Sequence, residues 1–311
     1  MSKMRIALIG HGGVGQAFVQ LLEDKKAALK AMGLPLQITC IVDLENIADF
    51  MALLSEQAAD LVVLATPTNK ESGEPGYSYA KAALSHGLHV VTADKGPLVI
   101  AYHELKELAA ANGVKLGIGC TTGGALPAIN GGLLDLAGAA IISIEGVLNG
   151  ATNFVLEKMR ETQVNYAEAL QEAQRLGVTE ADPSLDVEGW DTAIKLLILT
   201  NVLFNEHKRL ADIEVCGITG LTQEDIQQAA RKGLRYKLVG SSAYKQGALT
   251  IAVKPLALEP THPFYHVEGT NKAVRYITDT LGELTISGGG GSARAAAAAL
   301  LRDIINIYRP M

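Results

Sequence analysis

The chain has 311 residues, 48% of them hydrophobic and 19% charged, a composition of folded soluble proteins and not of disordered ones. Lys and Arg total 27 against 33 Asp and Glu, a net charge of −6, which supplies no electrostatic drive toward nucleic acid or an anionic membrane. Three widely spaced cysteines, Cys40, Cys120 and Cys216, suit neither a disulfide framework nor a structural zinc site. With no leader-like N-terminus and no apolar run near the ~18 residues of a membrane span, the expected setting is the cytoplasm.

From residue 4 to about 119, short β-branched runs alternate with longer amphipathic ones. MRIALIG predicts a strand and Val14–Met32 a helix that opens at glycines. QITCIVD predicts a second strand, Asn46–Gln57 a helix, and DLVVLAT a third strand. A helix over Tyr77–His86, a strand in LHVVT, a helix over Tyr102–Asn112 and a strand in GVKLGIG complete this half. Strands that are apolar throughout and separated by helices need cover on both faces, which defines a doubly wound parallel sheet. Past about Leu126 the rhythm changes. A strand in AAIISIEGVLNG precedes helices at Ala151–Glu161, Tyr166–Leu176, Val187–Phe204 and within LTQEDIQQAARKG. Strands follow at Leu234–Tyr244, Ala248–Pro255, Val274–Thr280 and Glu283–Ile286, then a helix from about Arg294 to Tyr308. Helices in a run followed by strands in a run predict an α+β second domain.

Gly10-His11-Gly12-Gly13-Val14-Gly15 lies between a strand and a helix, where such a loop binds a dinucleotide. Gly10 permits the tight turn, Gly12 lets the pyrophosphate approach the backbone, and Gly15 lets helix pack on strand, with the helix N-terminus offering N–H groups to the phosphates. Asp43 closes the second strand, placed either to bond the ribose hydroxyls or simply to cap a helix. No Arg follows it, so NAD is expected as the preferred cofactor, with NADP the alternative. Thr66 and Pro67 close the third strand, and Thr92 and Lys95 the fourth; both sit at the carboxyl end of the sheet, where open α/β folds bind ligands.

The densest polar cluster runs from Thr179 to Lys195. Asp191 and Lys195 are four apart on one predicted helix face, and Glu180 and Asp186 lie in the loop before it. Carboxylates around one amine can hold an ammonium group and tune a proton donor. The same spacing equally suits a capped helix with a surface ion pair worth under ~1 kcal/mol.

GHGGVG, ATPTNKESGEPG, HVVTADKGPL, EGVLNGATNFVLEKM and above all GVTEADPSLDVEGWDTAIKL resemble homoserine dehydrogenase over nearly the whole chain. The resemblance implies a fold of class α/β, a Rossmann doubly wound parallel sheet with an inserted α+β substrate and dimerisation domain. Residues 1–125 and 289–311 would form the NAD(P)-binding Rossmann domain, and 126–288 the substrate-binding and dimerisation domain. It further implies interconversion of L-homoserine and L-aspartate 4-semialdehyde in threonine and methionine biosynthesis, by a cytoplasmic homodimer whose partner is a small amino-acid substrate. Lys95 and Lys195 match the family's two active-site lysines, and Asp191 the carboxylate beside the second. Glu180 and Asp186 match substrate-holding acids, Gly150 a backbone contact to substrate, and Gly288–Gly291, with Gly290 facing the cofactor, a closing glycine segment. The chain is expected to be a short form without a C-terminal regulatory ACT domain, and so without allosteric inhibition by threonine.

The family's monovalent-cation site resembles residues 119–126, but its Glu is Gly119 here. The carbonyls of Thr122, Gly124 and Leu126 remain as sodium ligands. Ala151 stands where Thr is usual, Val178 where Tyr is common, and Asp94 where Asn is usual. The stretch between Asp43 and Asp60 is shorter than in most relatives. A related amino-acid alcohol is therefore the alternative substrate. Two further readings are an aspartate-semialdehyde dehydrogenase with Cys120 as nucleophile, and an NAD-sensing protein without turnover. The lysine pair argues against the sensor.

Overall fold

The computed structural model describes residues 4–42, 50–52, 54, 56 and 58–309. The chain divides into two units: residues 1–125 with 292–311, and residues 126–291. Asp43 and most of the helix expected over Asn46–Gln57 lie outside the described residues.

In the first unit, β1 (Met4–Ile9) leads into α1 (Gly13–Ala31), then β2 (Leu36–Val42), β3 (Leu61–Leu64), α2 (Gly76–Ser85), β4 (His89–Thr92), α3 (Gly96–Ala111) and β5 (Leu116–Gly117). The five strands are all parallel in the order β2-β1-β3-β4-β5. Strand order reverses between β1 and β3, so the loops leaving their carboxyl ends flank the crevice that open α/β sheets use for ligands. Alternation along β1 explains the double cover. Ala7 and Ile9 join one buried cluster with Val62, Leu64, Tyr79 and Leu105. Ile6 and Leu8 face the other way, into a cluster with Phe18, Val63 and Leu300.

α3 begins six residues before the helix expected at Tyr102. Pro97 fits the first turn, where its missing N–H costs nothing. Ala101, at φ −145°, then interrupts the helical backbone, so a reading of local periodicity finds only the later piece. β5 is shorter than GVKLGIG suggests and pairs with β4 only through Leu116 and Gly117.

The second unit contains β6 (Ile141–Val147), α4 (Gly150–Thr162), α5 (Tyr166–Arg175), α6 (Trp190–Leu203), β7 (Glu214–Val215), α7 (Gln223–Arg231), β8 (Arg235–Lys245), β9 (Ala248–Leu258), β10 (Lys272–Thr278) and β11 (Glu283–Gly288). Its sheet runs β11-β10-β6-β8-β9-β7, antiparallel except for β7 beside β9. Eleven of the fourteen residues of α6 are buried, as expected of a helix apolar on nearly every side. Gly240 lets it lie close on β8: a Cβ there would sit 3.2 Å from Thr192 Cγ2 and 3.3 Å from Leu196 Cδ2. The chain then returns to the first unit as α8 (Ala293–Tyr308). Among the described residues, no helix is long and apolar enough to cross a membrane.

One buried charge in this unit has a testable signature. Lys237 is only 3% exposed; its amine donates to Asn153 Oδ1 at 2.7 Å and to the carbonyl of Val267. Burial pushes it down to about 8, with the carboxylate of Glu157 opposing. A neutral amine keeps two N–H donors for its two acceptors, so the loss of charge leaves both bonds in place. Between about pH 8 and the ordinary lysine value near 10.4, the unfolded chain binds the extra proton, so this residue's contribution to stability rises with pH. Denaturant unfolding of wild type and Lys237→Met should show wild type gaining on the variant as pH climbs through that window. A gap that stays constant would mean that Lys237 is not depressed.

Candidate active site

In the first unit the site begins with the loop between β1 and α1. Gly10 has φ +89°, and a Cβ on it would lie 2.7 Å from the Ala65 carbonyl oxygen at the end of β3. A Cβ on Gly15 would lie 2.2 Å from the Gly10 carbonyl oxygen. Both glycines are thus required by close packing. Gly12 differs: nothing lies within 4 Å of where its Cβ would be. Gly12 and Gly13 are exposed, Val14 is half-buried, and no side chain caps α1. Open space in front of Gly12 and an uncapped helix N-terminus fit a bound pyrophosphate. Gly12→Ala, at an ordinary φ of −73°, should therefore leave the melting temperature unchanged while weakening NAD binding about tenfold, or ~1.4 kcal/mol. Calorimetric titration with NAD checks it, and unaltered affinity would take Gly12 out of the cofactor site.

The ends of β3 and β4 are tied together by a residue that motif reading did not place in the site. Asp94 is fully buried; Oδ2 accepts from Thr66 Oγ1 at 2.7 Å and Oδ1 from the Gly96 N–H at 2.8 Å. Burial pushes its carboxyl above the usual carboxylate range, against the pull of the Thr66 hydroxyl and the Gly96 amide. Thr92 Oγ1 accepts from the Asp94 N–H at 2.9 Å. This network fixes the turn that carries Lys95, which is half-buried, stands at the N-cap of α3, and donates its own N–H to Thr68 Oγ1 at 3.3 Å. Pro67, between the two ends, is exposed.

In the second unit the expected cluster assembles around Asn149. Gly189, at φ +90°, separates a single turn over Ser184–Val187 from α6, so the helix expected from Val187 is in two parts. That break lets Asp186 and Asp191, on either side of it, reach the same amide. Asn149 Nδ2 donates to Asp186 Oδ1 at 2.6 Å and to Asp191 Oδ2 at 2.9 Å. Its Oδ1 accepts from the Thr152 N–H at 2.9 Å, capping α4. Lys195 Nζ donates to Asp191 Oδ2 at 2.5 Å and to the Leu148 carbonyl at 2.8 Å. The Lys195 and Asp191 side chains are 12% and 9% exposed, so this is a buried pair and not a solvated surface one. Two of the three ammonium donors are engaged by protein, leaving one direction for a substrate oxygen.

Asp186 Oδ2 accepts from Thr179 Oγ1 at 2.9 Å. Gly150 follows Asn149 directly, and a Cβ on it would lie 2.6 Å from the Thr270 carbonyl oxygen. Glu180 is not drawn into this cluster. It is exposed, and its carboxylate has no hydrogen-bond or ion-pair partner among the described residues. Gly290 is also open, with nothing within 4 Å of a Cβ. Asn149, absent from the motif reading, had one sequence signal: an Asn at the end of a strand, directly before a helix, is a strong N-cap.

Residues 119–126 lack the acidic ligand that the resemblance implies for a monovalent cation, with Gly119 in its place. The carbonyls of Gly119 and Ala125 already accept from Arg302, and that of Leu126 accepts the Ala128 N–H. The Thr122 side chain is buried, and Gly124 turns the chain at φ +60°. Among the described residues, no three His, Cys, Asp or Glu side chains cluster to hold a metal. Cys120 is buried, with Sγ directed at the Ala296 carbonyl at 3.5 Å, which withdraws it as a nucleophile.

A glycine loop at the switch point of a parallel sheet defines the class. Residues 4–119 match the oxidoreductase family with an NAD-binding Rossmann fold, so the first unit is a nicotinamide-cofactor domain of that type. Residues 127–305 match the family described as homoserine dehydrogenase. Along its whole length the chain is 34% identical to an NAD(+)-dependent homoserine dehydrogenase of Pseudomonas canavaninivorans, covering 99% of this chain and 97% of the relative. It is 35% identical to a homoserine dehydrogenase of Methanocaldococcus jannaschii, with 98% of each covered. A hyperthermophilic archaeal homoserine dehydrogenase solved in complex with NADPH superposes with a TM-score of 0.81 at 28% identity, covering 98% of both chains. The chain belongs to the homoserine dehydrogenase family.

Proposed function

We propose that this protein interconverts L-homoserine and L-aspartate 4-semialdehyde with NAD or NADP; its relatives are named homoserine dehydrogenases, one of them NAD(+)-dependent. The observation that carries the reading is the buried Lys195–Asp191 pair, held by Asn149 and the Leu148 carbonyl. The nicotinamide, when bound, supplies the hydride exchange at the alcohol carbon. Lys195 takes or returns the hydroxyl proton through its remaining donor direction, with Asp191 keeping the side chain in place. Lys95 holds or polarises the substrate oxygen. Asp186, oriented by Asn149 and Thr179, and the unpartnered carboxylate of Glu180 bind the substrate ammonium, while Gly150 offers backbone to it.

Gly10, Gly12, Gly13, Val14 and Gly15 form the pyrophosphate cradle, with Thr66, Pro67, Thr92, Lys95 and Gly290 around the rest of the cofactor. The family resemblance supports a cytoplasmic homodimer whose residues 126–288 serve substrate binding and dimerisation. A spectrophotometric screen of homoserine and close analogues with both cofactors tests the assignment; an analogue turned over while homoserine is not would replace the substrate. Asp43, expected at the ribose hydroxyls, should favour NAD by about tenfold in kcat/KM, the ~1.4 kcal/mol of one repelled phosphate contact. A higher kcat/KM with NADP would remove Asp43 from that role.

A further inference from the structure

Gly150 opens α4, and the segment that leads into β10 lies directly against it. A Cβ on Gly150 would be 2.6 Å from the Thr270 carbonyl oxygen and 3.1 Å from Thr270 Cα, so backbone meets backbone there. Phe264 and Val267 seat this segment in a small apolar cluster with Val147 of β6 and Val239 of β8. Apolar contact is non-directional and does not by itself fix where each carbonyl points. Hydrogen bonds do that. Asn153 is fully buried, and its Nδ2 donates to the carbonyls of Val267 and Gly269, each at 2.9 Å. Its Oδ1 accepts from Lys237 Nζ at 2.7 Å, and the same amine donates to the Val267 carbonyl. Glu157 accepts the Gly269 N–H. Residues 150, 153 and 157 stand three and four apart on one helix, so they share the face that meets residues 267–270.

We infer that Asn153 and Lys237 are positioning residues for the substrate: they hold residues 267–270 against the first turn of α4 and so fix the backbone at Gly150. Neither touches substrate in this arrangement. Both Nδ2 hydrogens of Asn153 are spent on the segment, and its oxygen is spent on Lys237. Lys237 is 3% exposed, so water cannot take over its two bonds, and a buried acceptor left unpaired is costly. Packing in the interior is dense, so a displaced Thr270 carbonyl moves the Gly150 backbone pressed against it. Gly150 serves binding and Lys195 the proton. A shift at Gly150 therefore weakens the ground state and the transition state alike, which raises KM and leaves kcat.

The inference rests on the proposed contact between Gly150 and homoserine. Asn153→Asp keeps the size of the side chain and the bond from Lys237, and removes both donors to the segment. Steady-state kinetics of this variant should show KM for homoserine raised about tenfold, with kcat within about twofold of wild type and KM for NAD unchanged. Lys237→Met should move the same constant in the same direction. A role in stability alone would lower the melting temperature and the active fraction, and leave KM for homoserine where it was; that result would overturn the inference. Wild type that does not turn over homoserine would overturn the proposed reaction and the inference with it, an outcome distinct from an unchanged KM. If neither variant folds, hydrogen exchange of wild type decides. Saturating homoserine should slow exchange in the peptides covering residues 149–153 and 264–271 together, and protection of the first without the second would overturn the inference.

Discussion

Lys195→Ala should lower kcat about 100-fold or more, the scale for losing an acid–base group, while NAD affinity stays close to wild type. The separation follows from where the residues lie. Lys195 belongs to α6 in the second unit, whereas the glycine loop proposed to hold the cofactor belongs to the first. Truncation also removes the lysine's hydrogen bonds to Asp191 Oδ2 and to the Leu148 carbonyl. Breaking a buried pair from one side costs ~3–5 kcal/mol when nothing else satisfies the remaining charge. Stability must therefore be measured beside turnover. Lys195→Arg makes the control: it preserves a cation for Asp191 but cannot give up its proton at neutral pH. Both variants should be slow, and only the alanine one should be markedly less stable. Turnover near wild type in Lys195→Ala would remove Lys195 from the chemistry and most of the proposed mechanism with it.

Asn149→Ala should be damaging in two separable ways. The residue caps α4 through Thr152, and loss of such a cap costs ~1 kcal/mol. It also bridges Asp186 and Asp191, and two carboxylates that lose a shared, largely buried donor cost a further ~1–3 kcal/mol. Asn149→Ser distinguishes the two. A serine hydroxyl caps a helix nearly as well as an Asn, but it is too short to join both carboxylates. The serine variant should recover most of the melting temperature and little of kcat/KM, which we expect to fall roughly 10–100-fold, or ~1.4–2.8 kcal/mol. If Ser restores activity together with stability, Asn149 is a helix cap and no more.

These two positions mark the boundary of what sequence reasoning could reach. Asp191 and Lys195 stand four apart on a helix, a relation that the 3.6-residue period makes visible in one dimension. Asn149 lies 42 residues before Asp191, and no local period links them; β6 and α6 must both be in place before the amide and the carboxylates meet. Asp94 presents the same case. Its spacing identifies a turn after a strand, while its role depends on Thr66, 28 residues earlier on the neighbouring strand. Glu180 shows the converse, since its nearness in sequence to Asp186 suggested one cluster and the structure leaves it exposed.

By itself, the sequence determined the alternation of strands and helices in the first half, the glycine loop, the mixed second half, and a family resemblance carried by contiguous motifs. All of these are encoded by residues near one another along the chain, where hydrophobic period, glycine and cap positions act within a few residues. Tertiary structure alone decided which side chains share a hydrogen bond across tens of residues, that the Lys195–Asp191 pair is buried, and that the carbonyls of Gly119 and Ala125 are held by Arg302 from a helix more than 170 residues further on. Burial and long-range pairing depend on how elements pack, and packing is a property of the folded sheet and helices together, with no counterpart in local spacing.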